Sequence, residues 1–233
     1  MLAILQARMS STRLPGKVLK PLLGRPMIER QLERLRRSTE LSRIVVGTST
    51  GADDDAIAAW CVEAGVEAYR GALDDVLGRF LGVLETSGWP EHFVRLTADC
   101  PLADPDLIDE AVRAHLASGA DYTHAQEGRT YPKGLDVEVC RTAVLRELEP
   151  EAVGEDREHV TRFIYTHPER YRIHAIKRDP PLRYRWTVDT PEDFAFVEAV
   201  YIALYPSNPA FTTEDVLAWQ ARNPERVLVN TEV

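Results

Sequence analysis

MLAILQARMSSTRLPGKVLKPLLGRPMIER, residues 1–30, opens on an apolar run, Leu2–Leu5, that breaks into a loop and resumes as a helical pattern after Pro26. The run is short enough for a strand. Ile28, Leu32 and Leu35 then fall at i, i+4 and i+7, one face of a helix whose entry Pro26 pre-sets. Strand, loop, helix is therefore the first unit of the chain. The loop inside it carries Arg8, Ser10, Ser11, Arg13, Gly16 and Lys17.

The same rhythm repeats downstream. Arg43–Gly47 reads as a second strand, followed by a helix with Ile57, Trp60, Cys61 and Ala64 on its inner face. Val66–Tyr69 is a third strand, followed by the stripe Val76, Leu77, Phe80, Leu81 and Leu84. His92–Thr97 is a fourth. Its helix starts with Asp104 as N-cap and Pro105 at N1, and directs Leu107, Ile108, Ala111, Val112 and Leu116 inward. Strands alternating with helices imply parallel pairing and a doubly wound three-layer α/β/α sheet. In such sheets ligands lie beyond the carboxyl ends of the strands, here the loops after Leu5, Tyr69 and Thr97.

After about residue 120 the alternation loosens. Tyr122–Ala125, Leu135–Cys140, Tyr171–Ile176 and Tyr184–Val188 read as strands, with helices near Ala143–Leu148 and Glu158–Tyr165. The sheet is expected to be mostly parallel but mixed. Thr190-Pro191-Glu192-Asp193 opens a helix that buries Phe194, Val197, Val200, Tyr201 and Leu204, and a last helix spans Thr213–Arg222. Without repeats or Gly/Ser linkers, the expectation is one domain over 1–233. Within it the pattern divides at 1–120 (alternating strands and helices), 121–189 (mixed) and 190–233 (C-terminal helices).

The 233 residues are 44% hydrophobic and carry a net charge of −9. A general nucleic-acid binder carries a basic excess instead, so no nucleic-acid partner is expected. Cys61, Cys100 and Cys140 form no C-x-x-C pair, which fits reduced thiols in the cytoplasm. No segment approaches membrane-spanning length, so no membrane partner is expected.

The opening loop can aim cations and backbone amides at an anion. Arg8, Arg13 and Lys17 neutralise much of a triphosphate, and Ser10 and Ser11 add donors. The plain alternative is a solvated basic loop. A Walker A loop is excluded because Gly16-Lys17 is followed by Val18, and no G-x-G-x-x-G follows the strand. Asp99, at the exit of the fourth strand, suits Mg²⁺ held against phosphate oxygens, or simply a turn before Pro101. In RWTVDTPED, Thr190, Pro191 and Asp193 account for the helix start and leave Asp189 without a capping duty. Two aspartates at distant strand ends beside a cationic loop form a phosphoryl-transfer constellation. Asp53-Asp54-Asp55 could mimic a D-x-D metal motif, but reads more simply as first-turn acids, as does Asp74-Asp75. In KGLDVEV, Leu135, Val137 and Val139 share one face and Asp136 and Glu138 the other. That face is either solvated or turned to substrate hydroxyls, with Lys133 meeting an acidic group. His159 is the one histidine beside a dense charged cluster, and a structural role is its simpler account.

Ala7-Arg8 with Ser11-Thr12-Arg13-Leu14-Pro15-Gly16-Lys17 resembles the signature opening of the CTP-dependent sugar-acid cytidylyltransferases, which activate Kdo, neuraminate and pseudaminate. Asp99-Cys100-Pro101-Leu102 and Trp186–Phe194 resemble that family's later signatures, in order and spacing. Gln6-Ala7-Arg8, Lys133–Val139 and Arg157-Glu158-His159-Val160 bring the chain nearest to the spore-coat polysaccharide (SpsF-like) group. The resemblance implies a Rossmann-like GT-A-type nucleotidyltransferase, homodimeric and Mg²⁺-dependent, that transfers CMP from CTP to an acidic sugar and releases pyrophosphate. The rival readings are a phosphorylated or phosphonate small acid as acceptor, or a nucleotide-binding module without turnover. It implies that Ala7, Arg8, Ser11, Arg13, Lys17, Arg70 and Thr97 bind the nucleotide, with Arg70 on the cytosine side. Asp99 and Asp189 would be the metal ligands, catalytic together with Arg8 and Lys17. Lys133, Asp136, Glu138 and His159 would line the acceptor side, which makes 1–120 the nucleotide-binding half and 121–189 the acceptor-binding and dimerisation region. The sialate and Kdo enzymes typically carry proline and glycine where Gln6 and Ala98 stand, a difference that bears on the acceptor more than on the reaction.

Overall fold

The computed structural model describes residues 1–226. Its strands are β1 (Leu2–Gln6), β2 (Pro21–Leu22), β3 (Arg25–Pro26), β4 (Arg43–Ser49), β5 (Ala68–Gly71), β6 (His92–Thr97), β7 (Tyr122–His124), β8 (Glu138–Arg141) and β9 (Ile173–Ala175). The helices are α1 (Met27–Leu35), α2 (Asp55–Glu63), α3 (Val76–Thr86), α4 (Pro105–Ser118), α5 (Thr142–Leu148), α6 (Glu155–Glu158), α7 (Arg162–Thr166), α8 (Pro191–Leu204) and α9 (Thr213–Arg222). Seven strands form one sheet in the order β5-β4-β1-β6-β8-β7-β9, and β2 and β3 form a separate hairpin.

β1 pairs in parallel with β4 on one side and β6 on the other, Gln6 standing opposite both Gly47 and Thr97. The chain runs outward from β1 through β4 to β5 and then returns to the other side of β1. That reversal is the topological switch point, and it opens a crevice where the β1 and β6 exit loops diverge. β8 is antiparallel to both β6 and β7, while β7 and β9 are parallel. The sheet is thus parallel and mixed as expected, with β8 as its one reversed member.

Period-two alternation decides which side of the sheet each residue feeds. From β1, Ala3 and Leu5 enter a core with Ile28, Leu32, Ile108, Val112, Val197 and Val200. Leu2 and Ile4 enter the opposite core with Leu77, Phe80, Leu84, Leu145 and Phe163. Helices therefore cover both faces, and the expected three layers are present. Among the described residues no helix is long and apolar enough to cross a membrane. All three cysteines are buried and free.

The helix entries follow the sequence closely. Asp104 accepts from the amides of Asp106 and Leu107, and Thr190 and Asp193 form a reciprocal capping box. Several expectations are corrected. Tyr184–Val188 is not a continuous strand: Tyr184 and Arg185 are isolated bridge residues, Arg185 opposite Lys133, after which the chain turns so that the Val188 amide reaches Asp99. Leu135–Cys140 shortens to β8 because Gly134, at φ +109°, turns the chain into the backbone of Trp186 and Thr187. The helix expected over Glu158–Tyr165 is two short ones, α6 and α7, separated at His159–Thr161. Strand three starts at Ala68 rather than Val66, and Tyr171–Ile176 contracts to β9.

On α4, Leu116 is exposed and His115 takes the inward position, where it bonds Thr123 and His92. On α2, Ile57 and Cys61 are buried, while Trp60 is only half-buried and Ala64 exposed. Residues 227–233 of the expected C-terminal segment lie outside the described residues.

Candidate active site

The loop leaving β1 is built by its own backbone. The Met9 carbonyl accepts from the amides of Ser11 (2.8 Å) and Gly16 (3.0 Å), and Ser11 Oγ accepts from the Leu14 amide (3.3 Å). Gly16 has φ +71°, and a Cβ there would stand 3.3 Å from Met9 Cε. Asp54 anchors the loop from outside: Oδ1 accepts from the Met9 amide at 2.7 Å, while Oδ2 accepts from the Ser49 amide and hydroxyl. The buried carboxylate of Asp54 thus ties the exit of β4 to the exit of β1. Asp55 pairs with Arg70 at 2.6 Å. Their commitments remove Asp54 and Asp55 from a D-x-D metal motif.

Beneath the loop lies a cleft of about 210 Å³ at the switch point. Gln6, Ala7, Arg8, Ser10–Arg13 and Lys17 line one side, and Thr97, Ala98, Asp99 and Asp189 the other. Arg8 and Arg13 are exposed and Lys17 is buried. The two acids are brought together by backbone pairing. The Asp99 carbonyl accepts from the Val188 amide at 2.8 Å and from Thr187 Oγ1 at 3.3 Å. Lys17 Nζ then donates to Asp99 Oδ2 (3.1 Å), Asp189 Oδ1 (2.9 Å) and the Val188 carbonyl (2.6 Å).

Asp189 Oδ2 faces Arg13 at 3.1 Å and Arg185 at 2.8 Å. Burial alone would push its carboxyl up, but Lys17, Arg13 and Arg185 outweigh it and hold Asp189 below the ordinary carboxylate range. Arg185 is itself fixed by Asp193, through Nε at 2.8 Å and Nη2 at 3.0 Å. Sequence reasoning missed Arg185 and gave Asp193 a capping duty alone. The spacing of Arg185 four residues before Asp189 was the available signal.

The residues expected on the acceptor side are less concentrated. Glu138 is buried, and its carboxylate accepts from Arg95 Nη1 (2.9 Å to each oxygen), Gln126 Nε2 (3.0 Å) and Thr161 Oγ1 (2.9 Å). It is saturated by the protein, and the solvated acidic face considered for it is absent. Arg95 reaches on to Gln6 Oε1 at 3.4 Å, which links this pair to the cleft wall. A charge inside the apolar strand HFVRLT was the overlooked sign of that pair. Asp136 accepts from Arg129 (2.7 Å) and the Gly134 amide (3.1 Å), while burial pushes its carboxyl up. Lys133 pairs through its backbone with Tyr184 and Trp186. His159 is exposed between α6 and α7. Arg70, at the end of β5, donates to the carbonyls of Ser49 and Gly51 and stands outside the cleft lining.

Among the described residues no group of three or more His, Cys, Asp or Glu is arranged for a metal. A Mg²⁺ ion bound with phosphates needs only one or two protein carboxylates. Asp99 and Asp189 already share one cation, the Lys17 ammonium, so this donor set fits such an ion.

A switch-point crevice with a cationic βα1 loop on one wall and two carboxylates on the other defines a nucleotidyltransferase of Rossmann-like type. The chain belongs to the cytidylyltransferase family, whose pattern it matches over residues 2–205. It is therefore a CTP-dependent nucleotidyltransferase. It is 35% identical to the spore coat polysaccharide biosynthesis protein SpsF of Bacillus subtilis, over 96% of this chain and 95% of that one. Over 47% of its length it is 38% identical to a 3-deoxy-manno-octulosonate cytidylyltransferase of Geobacter sulfurreducens, covering 43% of that protein. Among solved structures, a cytidylyltransferase from Leptospira borgpetersenii superposes with a TM-score of 0.90 at 27% identity, over 99% of this chain and 97% of the other.

Proposed function

We propose that this enzyme transfers CMP from CTP to a hydroxyl of an acidic sugar, releasing pyrophosphate, in the synthesis of a surface polysaccharide. One observation carries the reading: Arg8, Arg13, Ser10 and Ser11 face Asp99 and Asp189 across a single cleft. The 3-deoxy-manno-octulosonate relative favours a sugar acid as acceptor, and the spore-coat relative favours a role in polysaccharide synthesis.

In this reading Arg8, Arg13 and Lys17 hold the triphosphate and stabilise charge on the departing pyrophosphate. Positioning and charge stabilisation dominate phosphoryl transfer, so little covalent chemistry is asked of the protein. Ser11 already orients the loop by accepting from Leu14, and its hydroxyl proton stays available for a phosphate oxygen. Ala7 and Thr97 flank the nucleotide at the ends of β1 and β6, and Arg70 turns to the cytosine side. Asp99 and Asp189 hold Mg²⁺, which when bound neutralises phosphate charge and lowers the pKa of the attacking hydroxyl. Lys133, Asp136 and His159 address the acceptor, and Glu138 acts on that side through Arg95. The enzyme works as a homodimer in the cytoplasm, a compartment that suits its three free thiols.

The test is pyrophosphate release from each of the four NTPs with Mg²⁺ and a panel of acidic sugars and phosphorylated acids. CTP with a sugar acid is expected to turn over. Turnover with a phosphorylated acid instead would overturn the acceptor class and keep the reaction.

A further inference from the structure

An ammonium group has three N–H donors. In Lys17 all three are taken, by Asp99 Oδ2, Asp189 Oδ1 and the Val188 carbonyl. A lysine so engaged has no donor left for a phosphate oxygen. It also stands where the two carboxylates converge, which is the place a divalent ion would need.

Charge counting points the same way. Asp99, Asp189 and Asp193 are matched by Lys17, Arg13 and Arg185, so the cluster is neutral as it stands. A divalent cation entering alone would meet a buried ammonium already in contact with both ligands, and repulsion between them would oppose it. A triphosphate changes that balance, because its negative charge gives Lys17 and Arg13 a new partner. The two are free to respond to different degrees. Arg13 is 60% exposed at its side chain and makes one contact with Asp189, whereas Arg185 is pinned by Asp193 at two nitrogens.

We propose that Lys17 is a built-in placeholder for the divalent metal. It closes the Asp99–Asp189 pair while the cleft holds no nucleotide. It then exchanges to the triphosphate when CTP arrives, so that metal and nucleotide bind only together. Arg13 follows Lys17, and Arg185 stays to orient Asp189. The inference rests on the cleft being the CTP site, and it adds an order to the binding there: the carboxylates become available to metal as the lysine leaves them.

The test uses Mn²⁺ as a spectroscopic substitute for Mg²⁺, with free Mn²⁺ counted by electron paramagnetic resonance and no turnover required. In the full-length wild-type protein, Mn²⁺ affinity is expected to rise ~10-fold or more when CTP is added, within the usual range of coupling between two ligands. Lys17→Met, which keeps the stem and removes the charge, is expected to bind Mn²⁺ without any nucleotide. Once Mn²⁺ chelated by free CTP is subtracted, it is expected to show a smaller rise on adding CTP than wild type, the remainder coming from the phosphate oxygens as metal ligands. Wild-type protein that binds Mn²⁺ equally well with and without bound CTP would overturn the proposal, even if Lys17→Met does not fold. So would a folded Lys17→Met that binds Mn²⁺ no better than wild type in the absence of nucleotide. Failure of CTP to bind at all strikes the functional reading instead, and leaves the nucleotide-free comparison of the two proteins to decide the placeholder.

Discussion

The Val188 amide donates to the carbonyl of Asp99 at 2.8 Å, so the two candidate metal ligands sit on segments that are bonded to each other. Their carboxylates therefore converge through backbone pairing rather than through side-chain attraction. Replacing Asp99 or Asp189 by Asn keeps the shape of each side chain and leaves that pairing in place. Each variant is expected to fold with an unchanged circular-dichroism spectrum and to lose ~10²–10³-fold or more in kcat, the usual loss when a charge-stabilising group is removed. Wild-type pyrophosphate release by Asp99→Asn would remove Asp99 from the metal site.

Much of this cleft could be read before any coordinates. β1, β4 and β6 were legible because buried parallel strands are nearly continuous apolar runs, and the switch point follows from their order. The cations of the β1 loop and Asp99 fell at strand ends for the same reason, whereas Asp189 follows a segment that is not a strand. Tyr184–Val188 misled because its alternation suits a strand, and local pattern carries no information about the partner backbone. Here the partner is the Gly134 turn, and past the Lys133–Arg185 bridge it packs against the Trp186 and Thr187 backbone instead of continuing a ladder. Leu116 misled in another way: residue type favoured leucine inside, but His115 satisfies both ring nitrogens there, with His92 and Thr123. The engagement of Lys17 with two carboxylates was unreadable, since it depends on a contact between three segments distant in sequence.

Gly134 is the hinge on which that packing turns. A Cβ there would lie 2.5 Å from the Thr187 nitrogen and 2.6 Å from the Trp186 carbonyl carbon, and φ +109° is itself strained for other residues. Neither neighbour is a flexible side-chain end, so the 186–189 segment must shift. Gly134→Ala is expected to lower the unfolding free energy by ~1–3 kcal/mol from backbone strain, with the clash adding to it. Urea titration measures the loss. A reduced kcat in the folded fraction would report displacement of Asp189.

Arg95 and Glu138 are directly opposite across β6 and β8, and both are largely buried. Removing one member of such a pair strands the other charge. Arg95→Met alone is expected to destabilise by ~3–5 kcal/mol, and Arg95→Met with Glu138→Leu by much less. Denaturant midpoints of the two single variants and the double variant complete the cycle. If Glu138→Gln instead leaves stability unchanged and raises only the KM for acceptor, Glu138 meets substrate directly.

His115 gives the fold a pH dependence far from the cleft. It is buried between His92 and Thr123, and burial, with the neighbouring His92, pulls its pKa down to about 4 from an ordinary 6.5. Asp121 pulls the other way, and Arg141 and His174 add to the lowering. Because the folded value lies below the unfolded one, the unfolded chain takes up the proton first as pH falls. Stability from this group is complete above about 6.5, declines between 6.5 and 4, and is exhausted below about 4. Asp121, held down to about 2 by Arg172 and Arg141 against the opposing effect of burial, keeps its own contribution until the pH falls below the ordinary carboxylate range. Urea midpoints measured from pH 7.5 down to 4.5 are therefore expected to fall, and His115→Gln, which keeps a hydrogen-bonding side chain without a titrating ring, is expected to flatten the slope. An equally steep slope in His115→Gln would assign the pH dependence to other groups.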